Sequence, residues 1–137
     1  MIIFPNAKIN LGLHVLRKRT DGFHDIETCM YPIPVKEALE IIPSKSFSFS
    51  HSGISIPGDS SNNLIVKAYQ LLSSDFPETP AIAAHLHKRI PIGAGLGGGS
   101  ADAAFALNLL NQLFSLGLDA KQLENYASQL GSDCPFF

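Results

Sequence analysis

The sequence predicts an α+β fold, and two patterns carry that prediction. In the first third of the chain, four apolar residues alternate with polar or small ones at the period of a half-buried strand, namely Ile9, Leu11, Leu13 and Val15. Later segments carry the 3.6-residue spacing of amphipathic helices. The 137 residues are 45% hydrophobic and 16% charged, a composition that supports one globular domain with a buried core.

Composition and charge exclude several classes of protein. A formal net charge of -2 creates no field that would recruit nucleic acid or an anionic membrane, so both partners are disfavoured. No apolar run reaches the roughly 20 residues that span a bilayer, and the N-terminus lacks the order of a signal peptide. Cys29 and Cys134 have no CxxC spacing, which predicts reduced, packed thiols and no metal or disulfide. We therefore expect a cytoplasmic protein.

Turn signals divide the first third into an antiparallel, meander-like sheet. A Thr-Asp-Gly turn at residues 20–22 separates the first strand from a second at residues 23–31. The Pro-Ile-Pro sequence at residues 32–34 is predicted to break that second strand. We interpret residues 39–42 and 47–50 as a further pair of strands.

A helix and a strand are predicted in the middle of the chain. Asn63, at the end of a polar loop, is well placed to cap a helix whose apolar stripe comprises Leu64, Ile65, Ala68, Leu71 and Leu72. The helix should end before Pro77. A strand at residues 81–87 follows, and one of its faces carries Ile82, Ala84 and Leu86.

Two helices are predicted after a glycine-rich turn. The first runs from about residue 100 to 116, with Gly117 as its stop, and its apolar stripe comprises Ala103, Ala104, Leu107, Leu110, Asn111 and Phe114. Asp119 is expected to cap a last helix that ends at about Leu130.

The glycine-rich turn predicts an anion site. Five of its seven positions from 93 to 99 are glycine: Gly93, Gly95, Gly97, Gly98 and Gly99. Glycine admits positive φ and lets the main chain approach a ligand, so that several N–H groups can converge on one anion. The helix that begins near Ser100 adds unpaired N–H groups and the positive end of its dipole. A phosphate chain is the expected ligand. A flexible loop is the plainer alternative, but such turns seldom need more than about two glycines.

Two other nucleotide-binding motifs fit less well. A Walker A loop needs a lysine before its serine or threonine, and no lysine precedes Ser100. The spacing of Gly93, Gly95 and Gly98 matches the Rossmann fingerprint, with Asp119 further along. However, the Rossmann acid ends a strand, whereas Asp119 opens a predicted helix, and an antiparallel pattern precedes the turn. A dinucleotide-binding domain is therefore disfavoured.

The segment from Pro91 through Gly95-Leu96-Gly97 resembles the ATP-binding motif of the galactokinase, homoserine kinase, mevalonate kinase and phosphomevalonate kinase superfamily. That motif usually continues Ser-Ser-Ala, whereas this sequence carries Gly98 and Gly99 before Ser100. The variant is similar to the branch that phosphorylates 4-diphosphocytidyl-2-C-methyl-D-erythritol. Further segments agree with that branch over essentially the whole chain, at residues 6–11, 19–24, 63–68, 88–89 and 130–135.

This resemblance implies a fold and an activity. The fold is a two-layer sandwich of the ribosomal protein S5 domain 2-like type with a left-handed βαβ crossover. The activity is ATP-dependent phosphorylation of the 2-hydroxyl of the cytidylyl substrate, in the non-mevalonate pathway to isoprene and terpenoid precursors. Residues 1–137 would form the N-terminal ATP-binding domain of a two-domain kinase whose C-terminal domain is absent from this chain. We expect the chain alone to be inactive.

The resemblance also assigns residues to the reaction. Asp133 is implied as the general base toward the substrate hydroxyl, with Lys8 beside it to stabilise the developing alkoxide. A plain ion pair between the two is the alternative. Ser100 is the implied contact of the Mg²⁺ that accompanies ATP. The implied ATP-binding residues are Pro91, Ile92, Gly93, Ala94, Gly95, Leu96, Gly97, Gly98, Gly99, Ser100 and Ala101, with Asn63 and Lys88 on the adenosine side. Taken alone, Lys88 is more typical of a solvated strand end, and we interpret Asp102 as structural.

The substrate's cytidine end would be read by His24, by a ring stacked on the cytosine, and by Asn10. Phe23 occupies the stacking position where many relatives have Tyr, and a phenyl face can still stack. Two alternatives stay open: a superfamily kinase of another small alcohol, such as homoserine or mevalonate, and a non-catalytic binding module on the same fold. The five glycines and the pair of Lys8 and Asp133 argue against the binding module, because a docking surface requires neither.

Overall fold

Within residues 1–20 and 22–137, the computed structural model has six strands and three α-helices. The strands are β1 (Ile2–Ile3), β2 (Asn6–Lys18), β3 (His24–Lys36), β4 (Ala38–Pro43), β5 (Ser48–Gly53) and β6 (Ile82–Lys88). The helices are α1 (Leu64–Asp75), α2 (Gly98–Phe114) and α3 (Ala120–Leu130), with short 3-10 helices at Ser60–Asn62 and Cys134–Phe136. The α+β class and the predicted order of elements are therefore confirmed.

The main sheet has the strand order β1-β4-β6-β5. Its strand β6 runs antiparallel to β4 and parallel to β5. The prediction that β4 and β5 form a pair is therefore wrong, because each of them flanks β6. Strands adjacent in sequence pair only about two-thirds of the time. Here α1 follows β5 and returns the chain to the sheet so that β6 lies between β4 and β5. The β5, α1 and β6 elements form a βαβ unit with parallel strands, and the left-handed crossover that the resemblance implies stays a prediction.

The helices pack against the main sheet and enclose the core. Ile82, Ala84 and Leu86 of β6 are buried together on one face, as predicted. The helices contribute Ile65, Ala68, Leu72, Ala103, Ala106, Leu107, Leu109 and Leu110 to the same cluster. Burial of this apolar surface is the main force that holds α2 against the sheet. The end of β6 and the start of α2 thus have fixed positions on either side of the glycine-rich turn.

The second sheet is a long hairpin of β2 and β3. Strand β3 continues through Pro32 and Pro34 to Lys36, so the predicted break at the prolines is wrong. Proline is tolerated because β3 pairs on one side only, and a missing N–H donor on its free edge breaks no ladder hydrogen bond. The turn predicted at residues 20–22 contains Asp21, which lies outside the described residues.

The hairpin also contradicts the predicted half-buried strand. Leu11, Leu13 and Val15 are 53%, 56% and 62% exposed, and the buried part of β2 is confined to its first five residues. The alternation of apolar and polar residues indicates a strand correctly, but only the base of β2 packs beside α2. Cys29, on β3, is likewise exposed, whereas Cys134 is buried; both are free thiols. Only one of the two cysteines is packed as predicted.

Two helices have the predicted caps. The side chain of Asn63 accepts a hydrogen bond from the backbone N–H of Ile65 at 2.9 Å, and Asp119 forms a reciprocal capping box on α3. Helix α2 ends at Phe114, before the predicted stop at Gly117, because its C-cap Ser115 adopts the left-handed conformation with a φ of 52°. No helix formed by residues 1–20 and 22–137 combines the length and the apolar content that a membrane crossing requires.

Candidate functional site

The glycine-rich turn connects β6 to α2 with its main chain in an unusual conformation. Gly93, Gly95 and Gly97 have φ angles of 72°, 73° and 70°, a region that residues with side chains enter at a cost of roughly 1–2 kcal/mol. Gly97 is the N-cap of α2, and no side chain caps the helix. The N–H groups in the first turn of α2 are therefore left to bind an anion.

Two of the glycines also permit close packing beneath the turn. A Cβ atom on Gly97 would lie 3.0 Å from Cγ of Lys8, and one on Gly98 would lie 3.1 Å from Oε1 of Glu37. Both distances are shorter than carbon and oxygen atoms normally tolerate in packed interiors. The turn therefore lies directly against two charged side chains, and glycine makes that approach possible.

A cavity of about 370 Å³ lies over the turn, which is within the range of small-molecule sites. It is lined by residues 91–100 together with Ile56, Asn62, Asn63, Leu64, Lys88 and Asp102. Of the residues predicted to bind ATP, only Ala101 is absent from this lining. Ala101 is fully buried, and its backbone N–H donates to the carbonyl of Gly97 at 2.8 Å, so it packs behind the cavity.

Lys8 and Asp133 meet at the edge of the turn. Nζ of Lys8 lies 3.2 Å from Oδ2 of Asp133, and the two side chains are 5% and 29% exposed. The backbone N–H of Lys8 donates to the carbonyl of Leu96 at 2.9 Å, which attaches β2 to the turn. Nζ of Lys8 also donates to Oδ1 of Asn10. The structure therefore brings the two predicted residues together, with Lys8 buried and Asp133 partly exposed.

The segment that carries Asp133 is attached to the start of α2. Cys134 is fully buried, and this burial raises the pKa of its thiol, while a hydrogen bond with the side chain of Ser100 opposes the rise. Gly131 ends α3, and a Cβ atom there would lie 3.3 Å from Sγ of Cys134. The 3-10 helix that follows Asp133 therefore packs against α2, which begins at the anion-binding turn.

A buried cluster of three ionisable groups lies behind the cavity. Nζ of Lys88 lies 2.6 Å from Oε1 of Glu37 and 2.9 Å from Oδ2 of Asp102. Lys88 is thus not the solvated strand end that its position suggests. Burial raises the pKa of Asp102 to about 7; the positive charge of Lys88 opposes this rise and the negative charge of Glu37 adds to it.

Glu37 was not singled out in the sequence. It stands between β3 and β4 and resembles any polar residue at a strand junction, yet it is buried. The one feature of the sequence that points to Glu37 is Lys88, because a lysine at the end of a buried strand needs an acidic partner.

The residues predicted to bind the cytidine end are not brought together. Asn10 lies at the site, where Nδ2 donates to Oγ1 of Thr28 at 2.9 Å. His24 pairs with Lys18 at the far end of the hairpin, roughly 30 Å along the strand from Lys8 at the usual rise per residue. Phe23 precedes His24 and is 57% exposed. Only Asn10 therefore adjoins the pair of Lys8 and Asp133.

Comparison with known proteins places the chain in a family. Residues 63–137 match the family described as GHMP kinases N terminal domain. Relatives from Cytophaga hutchinsonii and Azobacteroides pseudotrichonymphae, both named 4-diphosphocytidyl-2-C-methyl-D-erythritol kinase, are 60% and 58% identical over 137 residues. These matches cover 100% of this chain but only 50% and 51% of the relatives. The chain therefore spans about half the length of the curated relatives it matches.

Solved structures agree with this placement. A crystal structure of 4-(cytidine 5'-diphospho)-2C-methyl-D-erythritol kinase matches with a TM-score of 0.82 at 36% identity, over 100% of this chain and 48% of that one. The mevalonate kinase of Methanococcus jannaschii matches over 95% and 45% of the two chains with a TM-score of 0.67, and at 13% identity it shares the fold alone. Since the family match covers more than half of its residues, the chain belongs to the GHMP kinases and carries their N-terminal domain.

Proposed function

We propose that this chain is the N-terminal, ATP-binding domain of a kinase that phosphorylates the 2-hydroxyl of 4-diphosphocytidyl-2-C-methyl-D-erythritol. The observation that carries the proposal is the contact of Lys8 with Asp133 at the edge of the glycine-rich turn. The relatives of that name support the choice of substrate. A cytoplasmic location and a role in isoprenoid precursor synthesis belong to the same proposal.

The turn fits the phosphates of ATP. Three glycines with positive φ and an uncapped helix start supply convergent N–H donors. A cavity of about 370 Å³ adjoins them. Asn63, whose side chain caps α1, also lines the cavity and would border the adenosine. ATP supplies the γ-phosphoryl group when it is bound there, and the chain's own contribution is to hold the phosphates in line with the acceptor.

The chain offers few ligands to Mg²⁺. Within the part of the chain that the structure describes, no group of three His, Cys, Asp or Glu side chains converges as a metal site. Asp102 is bonded to Lys88, and Asp133 to Lys8. The residues therefore fit a metal ion that is held mainly by the phosphates, as is usual for Mg²⁺ with nucleotides. Ser100 is the side chain that would assist.

Asp133 and Lys8 would act on the acceptor alcohol. The substrate hydroxyl would give its proton to the Asp133 carboxylate as its oxygen forms a bond to the transferred phosphorus, and the bond from that phosphorus to the bridging oxygen of ADP breaks. The ammonium group of Lys8 would stabilise the negative charge that develops on the acceptor oxygen. Asp133 is 29% exposed beside the turn, so the hydroxyl of an acceptor could reach its carboxylate.

The hairpin would complete the acceptor site. Asn10 adjoins Lys8, and Phe23 and His24 retain the roles of stacking on and hydrogen-bonding to the cytosine. These two residues lie at the distal end of the hairpin, roughly 30 Å along the strand from Lys8, which is longer than the extended substrate. They can therefore contact the cytosine only when the hairpin folds back toward the turn. This part of the proposal predicts that a shorter acceptor, such as homoserine or mevalonate, binds without their help.

The test follows ADP release by the protein at its full natural length. Mg-ATP is supplied with the cytidylyl substrate, with homoserine or with mevalonate. Release that depends on the cytidylyl substrate supports the proposal. Release with another alcohol would keep the kinase and replace its substrate, and binding of ATP without release in any mixture would favour a non-catalytic module.

A further inference from the structure

We infer that Lys88 is a positioning residue for the glycine-rich turn, acting through Glu37 and Asp102, and that its ammonium group does not contact the nucleotide. The inference rests on the proposed function, because it concerns residues that border the proposed ATP site. Lys88 and Asp102 both line the cavity, which makes a direct contact the obvious expectation. The hydrogen bonds of the Lys88 ammonium group lead to the other conclusion.

The ammonium group of Lys88 is held between two buried carboxyl groups. It donates to Glu37 and to Asp102, and the three side chains are 3%, 0% and 5% exposed. An ammonium group has three donors, and two of them are used within the cluster. To move toward a nucleotide, the ammonium group would have to break both hydrogen bonds and leave the buried carboxyl groups of Glu37 and Asp102 without their donor, which is strongly unfavourable.

The cluster joins the two ends of the turn. Lys88 is the last residue of β6, and Asp102 lies near the start of α2. Glu37 accepts a second hydrogen bond, from the backbone N–H of Arg89 at 2.9 Å, and its other oxygen faces Gly98. One ammonium group therefore sets the distance between the strand that enters the turn and the helix that leaves it.

Stability alone does not account for this cluster. Well-packed apolar residues of similar volume generally stabilise an interior as well as buried ion pairs do. In addition, Oδ1 of Asp102 is buried and has no hydrogen-bond partner among the described residues, which is unfavourable for the folded state. What an ionic cluster provides is short, directional contacts, and preorganised N–H donors at the turn are what phosphate binding needs.

The test compares ATP with adenosine, which lacks the phosphates that the turn would hold. Dissociation constants for both ligands are measured by titration calorimetry for the wild-type protein, for Lys88→Met, and for the uncharged triple variant Glu37→Gln/Lys88→Met/Asp102→Asn. The triple variant decides the matter if Lys88→Met alone does not fold. Ile41→Val, a core change in β4 away from the turn, is the control for a general loss of stability.

We expect the triple variant to bind ATP about 10- to 100-fold more weakly, the usual effect of removing a group that orients a binding site, and to bind adenosine as the wild type does. The variant Glu37→Gln/Asp102→Asn, which keeps Lys88, should share the loss of ATP affinity; a loss confined to the variants that lack Lys88 would show a direct contact of its ammonium group with phosphate and overturn the inference. An equal loss for ATP and adenosine would show a contact with the nucleoside and overturn it as well. Unchanged ATP binding would also overturn it. If the wild type does not bind ATP at all, the proposed function itself fails, and this inference with it.

Discussion

Nζ of Lys8 and Oδ2 of Asp133 lie 3.2 Å apart, although the two residues stand near opposite ends of the chain. The glycine-rich turn brings them together, because the backbone N–H of Lys8 donates to the carbonyl of Leu96 within the turn. Asp133 reaches the same place through its neighbour Cys134, which is buried against the start of α2. A change in the turn should therefore alter the pair of Lys8 and Asp133 as well as the anion site.

Removal of the Lys8 charge should reduce turnover and leave ATP binding intact. Lys8→Gln takes away the ammonium group but keeps the backbone hydrogen bond to Leu96. We expect kcat to fall by roughly 100-fold or more, as for other groups that stabilise charge in the transition state. Steady-state ADP release by the protein at its full natural length measures this. Lys36→Gln, at an exposed position on β3, is the control, and equal losses in the two variants would contradict the assignment.

Two glycines of the turn should respond differently to alanine. Gly97→Ala places a Cβ atom 3.0 Å from Lys8 at a φ of 70°, so we expect a loss of at least about 1–2 kcal/mol from the backbone conformation alone. Gly99 has ordinary φ, and its Cβ atom would meet only Leu64, at 3.8 Å. Urea unfolding without ligand compares the variants. A Gly99→Ala variant as unstable as Gly97→Ala would show that the described packing of the turn is wrong.

Asp102 should make folding stability fall with rising pH. Its pKa is raised from 3.8 to about 7 by burial, so the folded state holds a proton that the unfolded state releases between these values. The contribution of Asp102 to the free energy of unfolding is therefore complete below about pH 4 and is lost as the pH rises to about 7. Urea midpoints at pH 5 and pH 8 should differ less in Asp102→Asn than in the wild type. Equal pH dependence in the two proteins would refute the assignment to Asp102.

The apolar residues of the hairpin should contribute little to stability. Leu13→Ala removes a side chain that is 56% exposed, and we expect a change of no more than about 0.5 kcal/mol. Leu86→Ala, at a fully buried position on β6, should destabilise by about 2–5 kcal/mol. Thermal unfolding of both variants checks this. A large loss in Leu13→Ala would mean that the outer hairpin is covered in solution.

Local features of the fold could be predicted because their causes are local. The cap at Asn63, the buried face of β6 and the capping box of Asp119 each depend on residues a few positions apart. The pairing of β4 and β5 with β6, by contrast, depends on where α1 returns the chain. The exposure of Leu13 likewise depends on whether another element covers the hairpin. The alternation of apolar and polar residues predicts a strand but does not predict which element packs on it.

The candidate site also combines features that the sequence predicts with features that only the folded chain creates. The turn at residues 91–100 and the meeting of Lys8 with Asp133 were implied by a motif and a family resemblance, and the structure brings them together. The partnership of Glu37 with Lys88 was not foreseen, because it joins a strand junction to a strand end through a buried space that only the folded chain creates. Asp102 was interpreted as structural, and its bond to Lys88 agrees with that.

The Asp133→Asn variant tests the central claim most directly. At the full natural length of the protein, ADP release is measured with Mg-ATP and 4-diphosphocytidyl-2-C-methyl-D-erythritol, and ATP binding is measured separately by titration. Asp75→Asn, on the exposed end of α1 where Asp75 accepts a hydrogen bond from Tyr126, is the control. The account predicts that Asp133→Asn lowers turnover by about 10²- to 10⁴-fold, the usual contribution of a general base, with ATP binding unchanged. Turnover by Asp133→Asn equal to that of Asp75→Asn would contradict it.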